Sequence, residues 1–346
     1  MIDLRACRLN VGDVTIDWRD RLYSFLYDVR LNKVRLMDGR RKISEHDTYA
    51  EMMEMSVNYF QSIGKLNAQE CKWVKKELEW YKLNFDKVVL AEENDMKRIR
   101  TNFVKRAGRT TDNAKDTYME MMVKLYSAFT QSDSGKGMKI SHYFFTEMKI
   151  KTCPYCNRQY TFTLSEDNAK AAPEYDHFYD KSDYPVLAVS FYNLVPSCHT
   201  CNHIKGANKT VKVNPYFKGF ESKFRMFDKT DTWRRLNPIE MMNKDGLLRL
   251  AREDGTISND EESNIKALGL ESLYRMHKDY VDEIIEKAAA YNKNARQQLA
   301  ESFQKRGYTP DQVYDFVWGK YLDETHLENR VLSKLTRDML EQLEIT

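Results

Sequence analysis

Residues that break helices are scarce in this sequence, which has 13 glycines and 7 prolines among 346 residues. This composition is typical of a mainly helical protein, and 42% hydrophobic with 31% charged residues favours a soluble chain with a buried core. No apolar run approaches the length that crosses a bilayer, and no targeting peptide opens the chain. We therefore expect a cytoplasmic protein with no membrane partner.

The net charge is low and cysteines are few. The formal net charge is only +3, so any binding to nucleic acid must depend on local basic patches. Six cysteines without a signal peptide are too few for a disulfide scaffold, and they indicate a reducing compartment.

Four of the six cysteines form two Cys-x2-Cys pairs, Cys153/Cys156 and Cys198/Cys201. This spacing lets four sulfurs converge tetrahedrally on one Zn2+, and the alternative is disulfides or unligated core cysteines. Because sulfur would fill every position, no site is left for water, and the zinc would be structural. Such an ion contributes on the order of 10 kcal/mol to folding.

The segment between the pairs carries residue types suited to phosphodiester hydrolysis, which needs an activated water and a cation near the phosphate. His177 is a fitting general base because an imidazole titrates near neutrality. The carboxylate of Asp176 and the amide oxygen of Asn202 are suitable ligands for a catalytic Mg2+ or Mn2+. Asn193 is placed to hydrogen-bond the backbone near His177. Taken one at a time, such residues more often form turns or caps.

The order of these motifs, C-x2-C, D-H, N-L and C-x2-C-N-x2-K, resembles that of the HNH (ββα-metal) endonucleases of the McrA-like, zinc-containing kind. More narrowly, DHFYDKSDYPVLAVSFYNLVPSCHTCNHIKG is similar to the HNH nuclease component of Septu-type antiphage defence systems. The resemblance covers residues 150 to about 218. It implies a two-stranded hairpin and a helix that together hold a divalent ion. It also implies DNA cleavage in a prokaryotic cytoplasm, with an ATPase partner subunit.

The resemblance assigns roles residue by residue. It makes His177 the general base, Asp176 a metal ligand, and Asn193 and Asn202 the second and third signature positions, which gives an H-N-N variant. His203 is the weaker choice for the third position, since neighbours on a helix point about 100° apart.

Two lysines, Lys181 and Lys205, match basic positions that would face phosphate. Asp180 departs from the pattern, because relatives commonly have proline there.

Further DNA contacts are expected from basic residues outside this signature. The cluster KRIRTNFVKRAGR, from Lys97 to Arg109, is either a solvated helix face or a phosphate-binding arm, and we assign Arg106 from it. Lys209 and Lys212 continue the basic character after the second cysteine pair and suit a DNA backbone.

The predicted fold class is mainly α with a small α+β insert. Residues 1–148 would form an N-terminal helical region, 149–218 the zinc-bound HNH module, and 219–346 a mostly helical C-terminal region. Helices are expected to begin at Asn67 and at Thr309-Pro310.

Two predictions concern the C-terminal region in more detail. One long helix is expected from Glu271 to about Gln304, where apolar residues recur at helical spacing. The steps Asp245-Gly246 and Asp254-Gly255 predict a small hairpin around Leu247 to Arg252.

The function predicted from these residues is metal-dependent hydrolysis of DNA by an HNH endonuclease. One alternative is a zinc-ribbon nucleic-acid-binding or scaffold subunit whose nuclease site is inactive. Another is a restriction or homing type of nuclease that works alone and gives sequence-specific products.

Overall fold

The computed structural model describes residues 1–7, 9, 11–30, 34–35, 42–43, 47–166, 169–207, 209–226, 237–242, 248–291 and 293–345. Most of these residues are helical, as predicted, and their strands form four two-stranded sheets. Within the described ranges, no helix combines the length and apolar character needed to cross a bilayer.

Contacts within the chain group it into two compact units. The cysteine unit comprises Met1–Leu9, Ile150–Phe162 and Pro196–Thr346, and the histidine unit comprises Asn10–Lys149 and Thr163–Val195. The chain thus passes from one unit to the other several times. The three regions predicted from the sequence, with boundaries at 148 and 218, remain a prediction.

The histidine unit is built from seven helices and several short strands among its described residues. The helices are α1 (Val11–Tyr23), α2 (Tyr49–Ser62), α3 (Ala68–Leu83), α4 (Phe85–Val89), α5 (Glu93–Ala107), α6 (Asp112–Gln131) and α7 (Ile140–Met148). The strands are β1 (Val34–Arg35), β2 (Lys42–Ile43), β3 (Leu164–Glu166), β4 (Ala169–Ala171), β5 (Glu174–His177) and the start of β6 (Leu194–Ser197). β5 pairs with β6. The predicted helix start at Asn67 is confirmed, because its side chain caps α3 in a capping box with Glu70.

Trp18 on α1 is the centre of the core of this unit. Its ring is 1% exposed and meets four aromatic rings edge-on at centroid distances between 4.8 and 6.1 Å, those of Phe129, Phe144, Tyr175 and Phe191. The indole N–H donates to the Val189 carbonyl at 3.0 Å. Since Tyr175 lies on β5 and Val189 on the following loop, the helical core fixes both segments around His177.

The cysteine unit contains the remaining elements. They are α8 (His199–Lys205), β7 (Lys223–Arg225), α9 (Pro238–Met242), β8 (Arg249–Ala251), α10 (Asn259–Leu268), α11 (Leu270–Arg275), α12 (Lys278–Ala290), α13 (Lys293–Gln304), α14 (Pro310–Trp318) and α15 (Ser333–Gln342). The predicted start of α14 is confirmed, because Thr309 caps it in a capping box and Pro310 occupies its first turn.

One prediction for this unit is wrong. The long helix expected from residue 271 to 304 is three helices, α11 to α13. One break is at His277, whose Nε2 accepts a 3.0 Å hydrogen bond from the Arg158 guanidinium, a tertiary contact that helical spacing does not reveal. Within the hairpin predicted around residues 247–252, β8 pairs antiparallel with β7, and the expected turn at Asp254-Gly255 is present, since the Gly255 N–H donates to the Arg252 carbonyl at 3.0 Å. The hairpin itself stays a prediction. Asp245-Gly246 lies outside the described residues.

The beginning of the chain is integrated into the cysteine unit. The Ile2 N–H donates to the Pro154 carbonyl and the Leu4 N–H to the Pro215 carbonyl, both at 2.9 Å. A Cβ on Gly219 would lie 2.9 Å from the backbone nitrogen of Asp3, so only glycine allows this close approach.

A buried ion pair anchors α15 in the same unit. Lys334 Nζ lies 2.8 Å from Asp338 Oδ2, and the two side chains are 4% and 0% exposed. Asp338 also accepts the Phe224 N–H of β7 at 2.9 Å, so the pair ties the helix to the sheet.

Candidate functional site

The four paired cysteines meet in the cysteine unit. Their sulfurs all lie within 4.8 Å of one another, with Cys156 Sγ and Cys198 Sγ at 3.9 Å. Tetrahedral Zn–S bonds of about 2.3 Å place sulfurs about 3.8 Å apart, so the arrangement fits a zinc ion. Each cysteine is 4% exposed or less, and none forms a disulfide. The predicted convergence of both pairs is therefore confirmed.

Local structure explains how each pair presents its sulfurs. The first pair closes a turn in which the Asn157 N–H donates to the Cys153 carbonyl at 2.7 Å and Asn157 takes a positive φ of 49°. The second pair sits at the start of α8, where Cys198 Sγ accepts the Cys201 N–H at 3.4 Å. The Arg158 N–H approaches Cys156 Sγ at 3.4 Å in the same way. Backbone donors of this kind stabilise thiolates.

Asn157 also connects the first turn to the C-terminal helix. Its amide nitrogen donates to Thr152 Oγ1 and to the carbonyls of Leu327 and Arg330 at 2.9 to 3.1 Å. Its Oδ1 accepts the Lys334 N–H at 3.0 Å. The metal-binding turn is therefore held by distant parts of the same unit.

The protein alone stabilises one negative charge in this cluster. The pKa of Cys198 is lowered because the thiols of Cys153, Cys156 and Cys201 hydrogen-bond to it. Burial raises the pKa of Cys153, and the hydrogen bond with Cys153 raises that of Cys201. Four thiolates this close together repel one another unless a cation lies between them, and a set of four cysteines that binds Zn2+ has this requirement.

His177 ends β5 in the histidine unit and is 7% exposed. Its ring meets the Tyr126 ring edge-on, with centroids 4.7 Å apart. Nε2 lies 3.0 Å from the Ala188 carbonyl oxygen. Since a carbonyl only accepts, we assign the proton to Nε2, and in the neutral ring Nδ1 is then the basic nitrogen.

Asn193 fixes the loop that follows His177. Its Oδ1 accepts the Tyr179 N–H at 2.8 Å, and its Nδ2 donates to the carbonyls of Tyr179 and Leu187 at 3.1 and 3.0 Å. Its own carbonyl accepts the Phe178 N–H at 2.8 Å. The side chain is 0% exposed, so these are the backbone contacts near His177 that the sequence leads one to expect of Asn193.

The two expected ligands of a catalytic ion lie in different units. Asp176 is on β5 of the histidine unit and is 3% exposed, and its charge contributes to a raised pKa of Tyr126, for which burial is the main cause. Asn202 is half-buried on α8 of the cysteine unit. Exposed His203 stacks on His199 with centroids 5.6 Å apart, on another side of α8. The joint binding of one ion by Asp176 and Asn202 stays a prediction.

The predicted DNA-contact residues have diverse environments. Lys181 is half-buried, and its ammonium lies 5.1 Å from the centre of the Tyr126 ring. Lys205 is 3% exposed, whereas Lys209 and Lys212 are exposed. Asp180 accepts the Ser182 N–H at 2.7 Å, so the chain forms an aspartate turn around Lys181.

Arg106 has a structural partner. Its guanidinium binds Glu77 through both carboxylate oxygens at 2.8 to 3.0 Å and lies 4.2 Å from the Trp80 ring centre. The Glu77 side chain is 2% exposed, so much of the Arg106 charge is offset within the protein.

Two residues near His177 received no role from the sequence, Tyr126 and Arg100. Tyr126 belongs to an ordinary apolar stripe of α6, and no sequence signal distinguishes it. Arg100 lacks an acidic residue three or four positions away on α5, unlike Lys97 and Arg98. That signal does not separate it from Arg106, whose acidic partner comes from another helix.

The geometry defines a mostly helical protein that has a four-cysteine metal-binding cluster and a buried histidine at the end of a short strand. No family model and no solved structure matches the chain. The chain is similar to the Septu protein PtuB of Bacillus thuringiensis, with 34% identity over 85 residues. The match covers 24% of this chain and 31% of that protein, so the similarity is distant and partial.

Proposed function

We propose that this protein is a metal-dependent HNH endonuclease that hydrolyses DNA phosphodiester bonds. The observation that carries the proposal is His177, whose ring is oriented by the Ala188 carbonyl at 3.0 Å at the end of a strand that pairs with β6. A histidine held in one tautomer by its second nitrogen is the arrangement that a general base requires. The partial similarity to a Septu protein and the four-cysteine cluster support the same class.

The residues of the histidine unit would divide the chemistry between them. Nδ1 of His177 accepts a proton from the water that attacks phosphorus, while Nε2–H keeps its bond to the Ala188 carbonyl. Asn193 prevents the following loop from shifting the imidazole, because its hydrogen bonds fix Tyr179 on both its N–H and its carbonyl. Lys181 would hold a phosphate oxygen.

Two kinds of metal ion would have separate tasks. Cys153, Cys156, Cys198 and Cys201 would hold a structural Zn2+, and the spacing of their sulfurs fits it. Asp176 and Asn202 would hold a Mg2+ or Mn2+, which supplies charge neutralisation at the scissile phosphate when bound. The carboxylate of Asp176 and the amide of Asn202 are donors that suit these ions.

The biological setting proposed is antiphage defence in a prokaryotic cytoplasm. The similarity to a Septu protein supports a defence role. By the resemblance of the signature, an ATPase subunit would be the partner, and it would restrain or trigger cleavage.

Nicking of supercoiled plasmid tests the nuclease proposal. Protein that retains one zinc per chain, verified by metal analysis, is freed of other ions by dialysis and assayed with and without Mg2+ or Mn2+. We expect nicking only with the added ion, and a loss of about 10²- to 10⁴-fold in His177→Ala. His326→Ala, a half-exposed histidine of the other unit, serves as the control. Equal rates in His177→Ala and wild type would refute the role of His177.

A second candidate function is nucleic-acid binding without cleavage. The observation that favours it is burial, since His177 is 7% and Asp176 3% exposed, which restricts access of a phosphate to either side chain. It predicts DNA binding that His177→Ala leaves unchanged, and no nicking with any divalent ion. Sequence-specific products from the chain by itself would instead support a nuclease that needs no partner.

A further inference from the structure

Helix α5 contacts the loop after His177 through Arg100. The guanidinium carbon of Arg100 lies 4.7 Å from the ring centre of Tyr179 and 5.4 Å from that of Tyr184. These two rings meet edge-on with centroids 5.9 Å apart. Because Asn193 holds the backbone of Tyr179 at both its N–H and its carbonyl, the cation rests on a fixed part of the loop.

Among the residues that the structure describes, no carboxylate forms an ion pair with Arg100. By contrast, Lys97 and Arg98 each pair with an acid on their own helix at 2.8 Å, and Arg106 pairs with a carboxylate of α3. The quadrupole of an aromatic ring attracts and orients a cation, but it does not neutralise the charge of that cation.

Lys181, a residue of the same loop, repeats this arrangement. Its ammonium lies 5.1 Å from the centre of the Tyr126 ring, whose edge in turn contacts His177. No ion pair to Lys181 is formed by the described part of the chain. Burial lowers the pKa of Lys181, and a neighbouring anion would stabilise its charged form. Two cations that contact aromatic rings therefore border the loop that follows the residue proposed as the base.

We propose that Arg100 binds a DNA phosphate adjacent to the one that is cleaved, and that with Lys181 it holds the backbone across the His177 loop. This inference rests on the proposed function and adds a helix outside the cysteine-to-cysteine stretch to the same site. A guanidinium can bind a phosphate through two parallel N–H bonds, which a lysine cannot do. Arg100 thereby takes the role that the sequence favoured for Arg106, whose charge Glu77 already engages.

The salt dependence of DNA binding tests this assignment without relying on cleavage. The full-length chain with His177→Ala is titrated with a labelled 20-base-pair duplex by fluorescence anisotropy between about 50 and 200 mM salt, a range over which phosphate contacts dominate. We expect Arg100→Gln to reduce the slope of log K against log salt by about 0.9, the value for one phosphate contact. At the lowest salt the affinity should fall by roughly ten-fold or more, as for loss of a charged hydrogen bond.

Two matched variants complete the test. Arg98→Gln removes one exposed charge from the same helix, and because Arg98 already pairs with Asp95 the slope should not change. Arg100→Lys should keep the slope of log K against log salt but lose part of the affinity for DNA. The positive charge remains, but an ammonium cannot donate two parallel N–H bonds to one phosphate.

The outcomes separate the two proposals. An unchanged slope in Arg100→Gln, with or without a lower melting temperature, would make Arg100 a packing residue and overturn the inference, as would absence of DNA binding by the parent chain. The expected change of slope, together with wild-type protein that nicks plasmid with neither Mg2+ nor Mn2+, would keep the Arg100 contact and refute the nuclease function.

Discussion

Asn193 offers the strictest test of how the His177 loop is held. Asn193→Ala removes three side-chain hydrogen bonds at a position that is 0% exposed, and it leaves one backbone N–H and two carbonyls without these partners. The Leu187 carbonyl keeps the Ser190 N–H at 3.1 Å, so two groups, the N–H and the carbonyl of Tyr179, are left unsatisfied. At about 1–3 kcal/mol for each group, we expect a loss of about 2–6 kcal/mol of unfolding free energy. That is a large fraction of the roughly 5–15 kcal/mol that stabilises a typical protein.

The isosteric change Asn193→Asp adds a dependence on pH. The introduced carboxyl group would face the Tyr179 and Leu187 carbonyls, which repel its charged form, so its folded-state pKa should lie above the unfolded value of about 3.9. The folded protein then binds the proton more tightly than the unfolded chain does. Stability relative to wild type is therefore greatest near pH 4 and falls as the pH rises through the folded-state pKa.

Thermal melts followed by circular dichroism measure both effects, with Asn58→Ala and Asn58→Asp as controls on the exposed face of α2. Plasmid nicking should decline in the two Asn193 variants and not in the Asn58 controls, since the loop that Asn193 holds carries the residues next to His177. A melting temperature of Asn193→Ala within about a degree of that of Asn58→Ala would contradict the role of these hydrogen bonds, because one kcal/mol shifts the melting temperature by more than that in a domain of this size. A stability loss of Asn193→Asp that is the same at low and neutral pH would contradict the raised pKa.

Three further predictions concern the rest of the molecule. Cys198→Ser should reduce bound zinc from about one per chain to none by elemental analysis and unfold the cysteine unit, whereas Cys71→Ser, also buried, should retain the metal. Trp18→Phe removes the indole hydrogen bond at 3.0 Å and should lower the unfolding free energy by about 1–2 kcal/mol in urea titrations, with a parallel decrease in nicking; an unchanged urea midpoint would contradict the central position of Trp18. Lys334→Met removes the 2.8 Å cationic partner of buried Asp338, which keeps Arg337 at 3.8 Å, and it should cost about 3–5 kcal/mol in the same titration, much of which the added change Asp338→Leu should restore.

Local signals in the sequence predicted local structure well. The caps at Asn67 and Thr309 were readable because each side chain satisfies backbone N–H groups within its own first turn. The cysteine cluster was readable because two short turns must bring four sulfurs to one point if they bind one ion. Both inferences need no knowledge of distant partners.

The sequence did not reveal contacts between segments that are distant along the chain. Arg106 is one case, because its partner Glu77 comes from another helix and no spacing within α5 reveals it. The break at His277 is another, since the guanidinium of Arg158 holds it from more than a hundred residues away, and the apolar spacing continues across the break. The grouping of the chain into two interleaved units depends on the same long-range packing.

The interleaving has a consequence for the order in which the protein acquires its structure. Ile2 and Leu4 leave the ribosome well before the carbonyls that they bind, on Pro154 and Pro215, which emerge roughly ten seconds or more later at bacterial rates of synthesis. The two cysteine turns are likewise synthesised on either side of the strand that carries His177. A fragment cut at the boundaries of the motif would therefore lack the backbone partners of its own metal-binding turn. In the cell, the nascent chain should stay incompletely folded, and dependent on protection from aggregation, until the partners of Asn157 on Leu327, Arg330 and Lys334 have emerged.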